Sequence, residues 1–375
     1  MQSAEVIIVG AGMVGSAVAY GLARAGRRVL VLDGGDGDFR AARANFGLVW
    51  VQGKGADMPA YQVLTRDSSD LWPQFAGELA EVAGVPVDYE RKGGLAFCLG
   101  DRDFEARGLA LHRLHNQLSA AEQDCEMLDR VALEKRLPRV EFGNNVSGAS
   151  YCWRDGQVNP LRLLQAMHAG IERLGGRVLA ACEVSQIERG EQGFRVATAN
   201  QVFGADKVVI AAGVATKGLA LQVGLDVPLR PQRGQVLVTE RMAPFLPLPA
   251  SGLRQTAEGT VMIGATKEEV GLDAGTTMSS AAYLADKALQ VVPRLAGARL
   301  VRQWSGLRVM TPDSFPVYAQ SQSHPGAFAL LCHSGVTLAA CHAERLAEAI
   351  DRGVLPANLE PFHHQRFSRD VRQAI

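Results

Sequence analysis

Residues 5–33 run as one supersecondary unit: an apolar strand, a glycine turn, an alanine-rich helix and a second apolar strand that ends on an acid. Gly10, Gly12 and Gly15 stand in the order G-x-G-x-x-G. Gly10 permits the tight turn, Gly12 lets backbone approach a pyrophosphate, and Gly15 lets the helix lie close on the sheet. The helix start at Met13 and Val14 presents free N–H groups and the positive end of the helix dipole to that pyrophosphate. Asp33 closes the second strand, where a carboxylate accepts from ribose hydroxyls and disfavours a 2′-phosphate. This context commits the N-terminus to a Rossmann-like unit that binds a dinucleotide.

The chain has 375 residues, 47% of them hydrophobic, which is enough for two joined domains around a large core. Its formal net charge is +0 with both signs mixed along the sequence, so there is no electrostatic case for nucleic acid or an anionic membrane surface. No two of Cys98, Cys125, Cys152, Cys182, Cys332 and Cys341 form C-x-x-C. Zinc and iron–sulfur ligation therefore have no spacing support, and free thiols in a reducing compartment are expected. The pairs His112/His115 and His363-His364 have no carboxylate or thiol at ligand spacing, so no metal is expected. A strand already running at Val6 leaves no room for a signal peptide, and no stretch reaches the ~18 apolar residues that span a bilayer. The expectation is a cytoplasmic protein without an integral membrane segment, at most peripheral at the inner membrane face.

Residues 60–82, 102–120 and 279–292 pattern as helices, as do Leu161, Leu164, His168 and Ile171 up to a stop at Gly175-Gly176. Val85 to Leu99 alternates around Gly93-Gly94 and reads as a β-hairpin. Strands are expected at 177–188, 193–199, 205–213, 227–240, 260–266 and 327–332, with a proline-rich surface loop at 243–249. Ser334-Gly335-Val336-Thr337 opens a second glycine-to-helix transition that runs to about Ile350. A chain that returns to its first domain at its end makes that domain discontinuous. The fold class expected is α/β: a discontinuous Rossmann-like domain over 1–82, 147–222 and 302–375, and a second α+β domain on a mixed sheet over 83–146 and 223–301.

With these segments in view, the sequence resembles the glycine oxidase/D-amino acid oxidase-like flavoproteins over nearly its whole length. The likeness rests on the N-terminal fingerprint, the Val208-Val209-Ile210-Ala211-Ala212-Gly213 strand end, Trp304 to Arg308 and the Gly335 helix start. The stretches Arg43 to Gly47, Gly306 to Asp313 and His333 to Leu338 are similar to a narrower group. That group comprises the flavin subunits of bacterial D-hydroxyproline dehydrogenases, the B subunits of opine oxidases and the C subunits of hydrogen cyanide synthases. The resemblance implies FAD as cofactor. Physical reasoning agrees: FAD is held along its whole length and needs further contacts, for which the Gly213 turn and the Ser334–Thr337 helix start are the candidates. A positive helix end near the flavin N1/C2=O edge would stabilise the charge that builds there on reduction.

The resemblance further implies that Arg308 pairs with a substrate carboxylate. A planar guanidinium binds a carboxylate through two parallel hydrogen bonds, which fixes the orientation that hydride transfer from Cα to the flavin requires. The commoner family pattern has proline after that arginine, where this chain has Val309. His333, next to the flavin turn, is a candidate to touch or tune the flavin. Arg43 and Asn45 are candidates on the loop passing the FAD, and Val184 for backbone contact with adenine. Lys267 is a candidate to reach the pocket, with a surface lysine as the plainer reading; Tyr89, Tyr151 and Trp304 are candidate pocket aromatics. The activity implied is oxidation of the C–N bond of an amino or imino acid, D-hydroxyproline first, then opines, sarcosine or glycine. The narrower group also implies a hetero-oligomeric dehydrogenase with an iron–sulfur partner subunit; a self-sufficient peroxide-forming oxidase is the rival.

Overall fold

The computed structural model describes residues 2–35, 40–118, 123–191 and 193–369. Its centre is a parallel sheet in which the first strand, Gln2–Val9, lies between Val202–Ile210 and Val29–Leu32. Ala327–Leu331 extends the sheet beyond Val202–Ile210, and Arg177–Leu179 extends it beyond Val29–Leu32, all parallel. Val317–Gln320 adds an antiparallel edge. Side chains of the first strand alternate between two cores. Val6 and Ile8 face the helices Met13–Arg24, Pro59–Ala83 and Pro160–Arg173, while Ile7 and Val9 face the hairpin Val184–Arg189/Phe194–Thr198 and the short helix Thr216–Leu221. Burial on both faces explains why these strands are continuous runs of Val, Ile and Leu.

The second region is built on antiparallel strands. Leu253–Gln255, Thr260–Gly264, Arg230–Arg241 and Leu300–Met310 form one set, in that order. Gly94–Leu99, Val146–Cys152 and Cys125–Asp129 form another, and the parallel bridge of Leu95 with Ala250 joins the two into a mixed sheet. The helix Met278–Val291 covers it through Ala281, Leu284 and Ala288.

Several expectations need correction. Val85 to Leu99 is not a hairpin: only Gly94–Leu99 is a strand, and its partner Val146–Cys152 lies some fifty residues on. Gly93, at φ 92°, turns the chain into it rather than around to a second strand. The strand expected over 177–188 is two strands. Arg177–Leu179 stays with the parallel sheet, Ala181 breaks the run at φ 52°, and Val184–Arg189 leaves to pair with Phe194–Thr198. The 243–249 loop is not all surface, since Phe245 and Leu246 are buried in the second core. The boundaries drawn at 147 and 302 cut through Val146–Cys152 and Leu300–Met310, both of which pair in the second sheet. Alternation reveals a strand but not the sheet that receives it. The C-terminal helix begins at Ala339, after a hydrogen-bonded turn at Ser334–Leu338, and passes through a π-helical turn at His342–Leu346 before ending at Arg352. No helix among the described residues is long and apolar enough to cross a membrane.

Candidate active site and cofactor groove

The C-terminal ends of four parallel strands open on one groove, as ligand sites in open α/β sheets do. Gly10 follows the first strand, Asp33 the second, Ala211–Gly213 the strand Val202–Ile210, and Cys332–Gly335 the strand Ala327–Leu331; all contribute to its lining. Gly10 has φ 107°, and a Cβ on it would stand 2.4 Å from the Ala211 carbonyl oxygen. A Cβ on Gly15 would stand 2.0 Å from the Gly10 carbonyl oxygen, so the helix lies directly on the turn. Gly12 differs. It caps the helix Met13–Arg24 without any side-chain capping bond, and among the described residues a Cβ there would meet nothing nearer than Ala42 Cβ at 3.8 Å. Space and unclaimed amides are left where a phosphate would lie, so the residues fit an extended dinucleotide.

The Asp33 carboxylate accepts from Ala11 N at 2.7 Å and Gly35 N at 2.9 Å, which ties the two strand ends together at the groove. His168, in the sequence no more than a helix position, braces the turn: its Nε2 is 3.0 Å from both Ser16 Oγ and the Ala11 carbonyl. Val184, buried at the start of its strand, and Gly213, at φ 60°, line the groove with Met13, Val14 and Gly335. Arg43 does not. The 40–44 turn, in which Arg43 N and Ala44 N both donate to the Arg40 carbonyl at 2.9 Å, leaves Arg43 exposed and puts Arg40 in the lining instead. Asn45 is in the lining, and its Oδ1 accepts from Gly47 N at 2.7 Å.

A second cavity of about 630 Å³ joins this groove at Asn45, Val309, Cys332 and His333. Ser334, Val336 and Thr337 line it, as do Arg308 and Lys267 from the second sheet. Arg308 is half-buried near the end of Leu300–Met310, and its Nη1 donates to the carbonyls of Thr266 at 2.8 Å and Arg233 at 3.3 Å. Among the described residues it has no carboxylate partner. Burial lowers its pKa, and the nearby Glu268 opposes that. The strand opposite provides the room: a Cβ on Gly234 would sit 2.5 Å from one guanidinium nitrogen. Arg233 in turn binds Glu268 and Asp273, which fixes the segment whose carbonyl holds Arg308.

Lys54 is the main residue that sequence reasoning missed. Its ammonium donates to Ser334 Oγ at 2.8 Å, and the same oxygen accepts from Tyr61 Oη at 2.7 Å. With two donors on Ser334 Oγ, the serine's own proton is available to donate to a further acceptor. The Trp50–Lys54 loop is held by Asp155, a fully buried carboxylate that accepts from Val51 N at 2.5 Å and Gln52 Nε2 at 2.6 Å. Burial, opposed by those bonds, raises Asp155 to about 7. The sequence signal was slight: Gly53 and Gly55, at φ 80° and 82°, flank Lys54 in a turn. Trp50 lines the cavity, whereas Tyr89, Tyr151 and Trp304 are not among its walls. Tyr89 stacks on Trp72, Tyr151 donates to the Lys92 carbonyl, and Trp304 Nε1 donates to the Ala44 carbonyl.

His333 opens onto both cavities. The surrounding protein, then Lys54, Arg308 and Lys267, lower its pKa well below the ordinary histidine value. At neutral pH it is therefore an uncharged imidazole. Substrate-driven reduction followed by stopped flow from pH 6 to 9 is expected to show no ionisation that His333→Gln removes. An acid limb near pH 6.5 lost in that variant would contradict this placement.

Comparison with known proteins identifies the cofactor. The model of one family, the FAD dependent oxidoreductases, matches residues 5–349. The chain belongs to that family. Its cofactor is FAD, and its fold is a Rossmann-like FAD-binding region with a second α+β domain. It is 40% identical to the B subunit of the opine oxidase of Agrobacterium tumefaciens (strain Ach5) over 368 residues, 98% of each chain. It is 28% identical to the HcnC subunit of the hydrogen cyanide synthase of Pseudomonas aeruginosa, covering 97% of this chain and 96% of that one. Among solved structures, glycine oxidase from Geobacillus kaustophilus superposes with a TM-score of 0.89 at 24% identity, covering 98% of this chain and 99% of that one.

Proposed function

We propose that this FAD-dependent oxidoreductase oxidises the C–N bond of an amino or imino acid, and that the substrate nitrogen is a secondary amine. The observation that carries the reading is Arg308: a guanidinium without a carboxylate partner among the described residues, held in a cavity that runs on into the FAD groove. Arg308 binds the substrate carboxylate and so sets which Cα–H faces the cofactor. FAD, when bound, takes up the hydride. Gly12 and the amides of Met13 and Val14 hold its pyrophosphate, Asp33 its ribose, and Ser334 to Thr337 its ring end. His333, neutral at pH 7, shapes the wall without adding charge, and the substrate ammonium releases its proton to solvent as it binds, leaving the free-base amine to be oxidised.

Two secondary amines head the candidates, D-hydroxyproline and opines; the 40% identity to an opine oxidase chain supports the second. That two relatives are named as subunits supports a chain that works with partners. An iron–sulfur partner would export electrons singly, a task for which this chain has no ligand cluster among its described residues. The test is anaerobic bleaching of the bound flavin by D-hydroxyproline, an opine, sarcosine and glycine, then turnover in air. Bleaching without peroxide, with activity restored by co-expressed partners, is expected. Peroxide formed in step with substrate by the isolated chain would establish the oxidase instead, and bleaching by none of the panel would refute the reading.

A further inference from the structure

The cavity beside the FAD groove carries more positive charge than one substrate carboxylate requires. Lys54, Lys267, Lys287 and Arg308 line it, against a single carboxylate, Asp103, at the start of the helix Asp101–Gln117. Three of the four cations have assignments. Lys54 is bonded to Ser334 Oγ at the turn next to the FAD groove, and Lys287 lies 4.8 Å from the centre of the Tyr283 ring. Arg308 receives the first carboxylate on the reading above. Lys267 remains: exposed within the cavity, with no hydrogen bond or ion pair among the described residues. It is also placed beside Arg308, because the carbonyl that accepts from Arg308 Nη1 belongs to Thr266, the preceding residue. That local field reaches His333, whose proton affinity Arg308, Lys54 and Lys267 all reduce.

Two neighbouring cations, one a planar guanidinium held by backbone carbonyls and one an exposed ammonium, match two carboxylates on one small molecule. In an N-(carboxyalkyl) amino acid, the carboxylates are separated only by a Cα–N–Cα link, so both fall within reach of adjacent side chains. We propose that Lys267 is the receptor for a second carboxylate, and that the preferred substrates are secondary amines flanked by a carboxylate on each side. This rests on the function proposed above and narrows it: a cyclic monocarboxylate such as D-hydroxyproline leaves Lys267 unmatched, and an opine-type acid does not. Burying an ammonium against a ligand without a partner is unfavourable, so the same lysine also selects against monocarboxylates.

The test uses the FAD-loaded chain with any partner chains that co-purify. Iminodiacetate and sarcosine are the probes, since they share the amine and one carboxylate and differ by the second. Binding is read from the change in oxidised-flavin absorbance, which needs no turnover, and then from anaerobic bleaching. Wild type is expected to bind iminodiacetate at least tenfold more tightly than sarcosine. Lys267→Met, close in size, should bring that ratio near one, and Lys267→Arg should restore most of it; raised salt should shrink the wild-type ratio. Equal affinities in wild type, or a ratio that survives Lys267→Met, overturns the assignment. If sarcosine or D-hydroxyproline bleaches the flavin while the second carboxylate gains nothing, only this inference falls. If no amine in the panel binds or bleaches, the proposed function falls with it.

Discussion

Arg308→Ala is expected to cut kcat/KM for carboxylate-bearing substrates by about thirtyfold to several thousandfold while the protein stays yellow. The range follows from removing one partner of a desolvated charge pair, about 2–5 kcal/mol, read as lost transition-state stabilisation. FAD content should persist because, among the described residues, the hydrogen bonds of the Arg308 guanidinium go to the Thr266 and Arg233 carbonyls and not to the fingerprint turn. Arg308→Lys should recover part of the loss, since an ammonium cannot make the two-point planar contact. Gly234→Ala offers an independent approach to the same group. The added methyl would press on the far end of the arginine side chain, at 2.5–2.6 Å from its guanidinium atoms, which can swing aside at little cost to the fold. The melting temperature should barely move, while kcat/KM falls about ten- to hundredfold as the carboxylate anchor shifts. Steady-state kinetics with flavin-to-protein absorbance ratios separate these effects. Unchanged kinetics in Arg308→Ala would remove that arginine from the site.

How far the sequence reached depended on whether a function sits in one local stretch or is assembled across the fold. The N-terminal unit is local: turn, helix and acid lie within residues 5–33, and each glycine has the environment that its position implied. The turns at Gly213 and at Ser334–Thr337 were legible for the same reason, as buried strands ending in small residues. Lys54 was not legible. It gains meaning only because Pro59–Ala83 brings Tyr61 and the preceding loop under Ser334, some 280 residues away in sequence. Gly234 is equally silent until the register with Leu300–Met310 puts it beneath the Arg308 guanidinium. Arg43 shows a different limit, because one turn decides whether residue 40 or residue 43 faces the groove, and the sequence carries no phase for that turn. The sheet assignments of Val146–Cys152 and Leu300–Met310 failed because pairing partners are non-local, and strand alternation carries no information about them.

The two glycines of the fingerprint should fail in different ways when substituted. Gly12 sits at φ −76° and ψ −173°, an extended conformation open to any residue, and among the described residues an added Cβ would have Ala42 Cβ, at 3.8 Å, as its neighbour within 4 Å. Gly12→Val is therefore expected to fold, with an apo-protein melting temperature close to that of wild-type apo-protein. The new branch projects into the space left for the pyrophosphate. Overpacking there costs about 3 kcal/mol, so FAD affinity should fall on the order of a hundredfold and the protein should purify nearly colourless. Gly15 is packed against protein, not ligand: an alanine methyl would lie 2.0 Å from the Gly10 carbonyl oxygen and 3.2 Å from Ile8 Cγ2. Neither a backbone carbonyl nor a buried core residue can swing aside, so Gly15→Ala should lower the melting temperature of the apo-protein itself, before any FAD is added. Adding FAD will stabilise wild type by mass action and leave Gly12→Val almost unmoved at the same concentration. Thermal melts with and without FAD, together with fluorescence titration of the cofactor, resolve the two cases. An apo-protein of Gly12→Val that melts far below wild type, or one that binds FAD as well as wild type does, would refute the account of that turn as a ligand cradle.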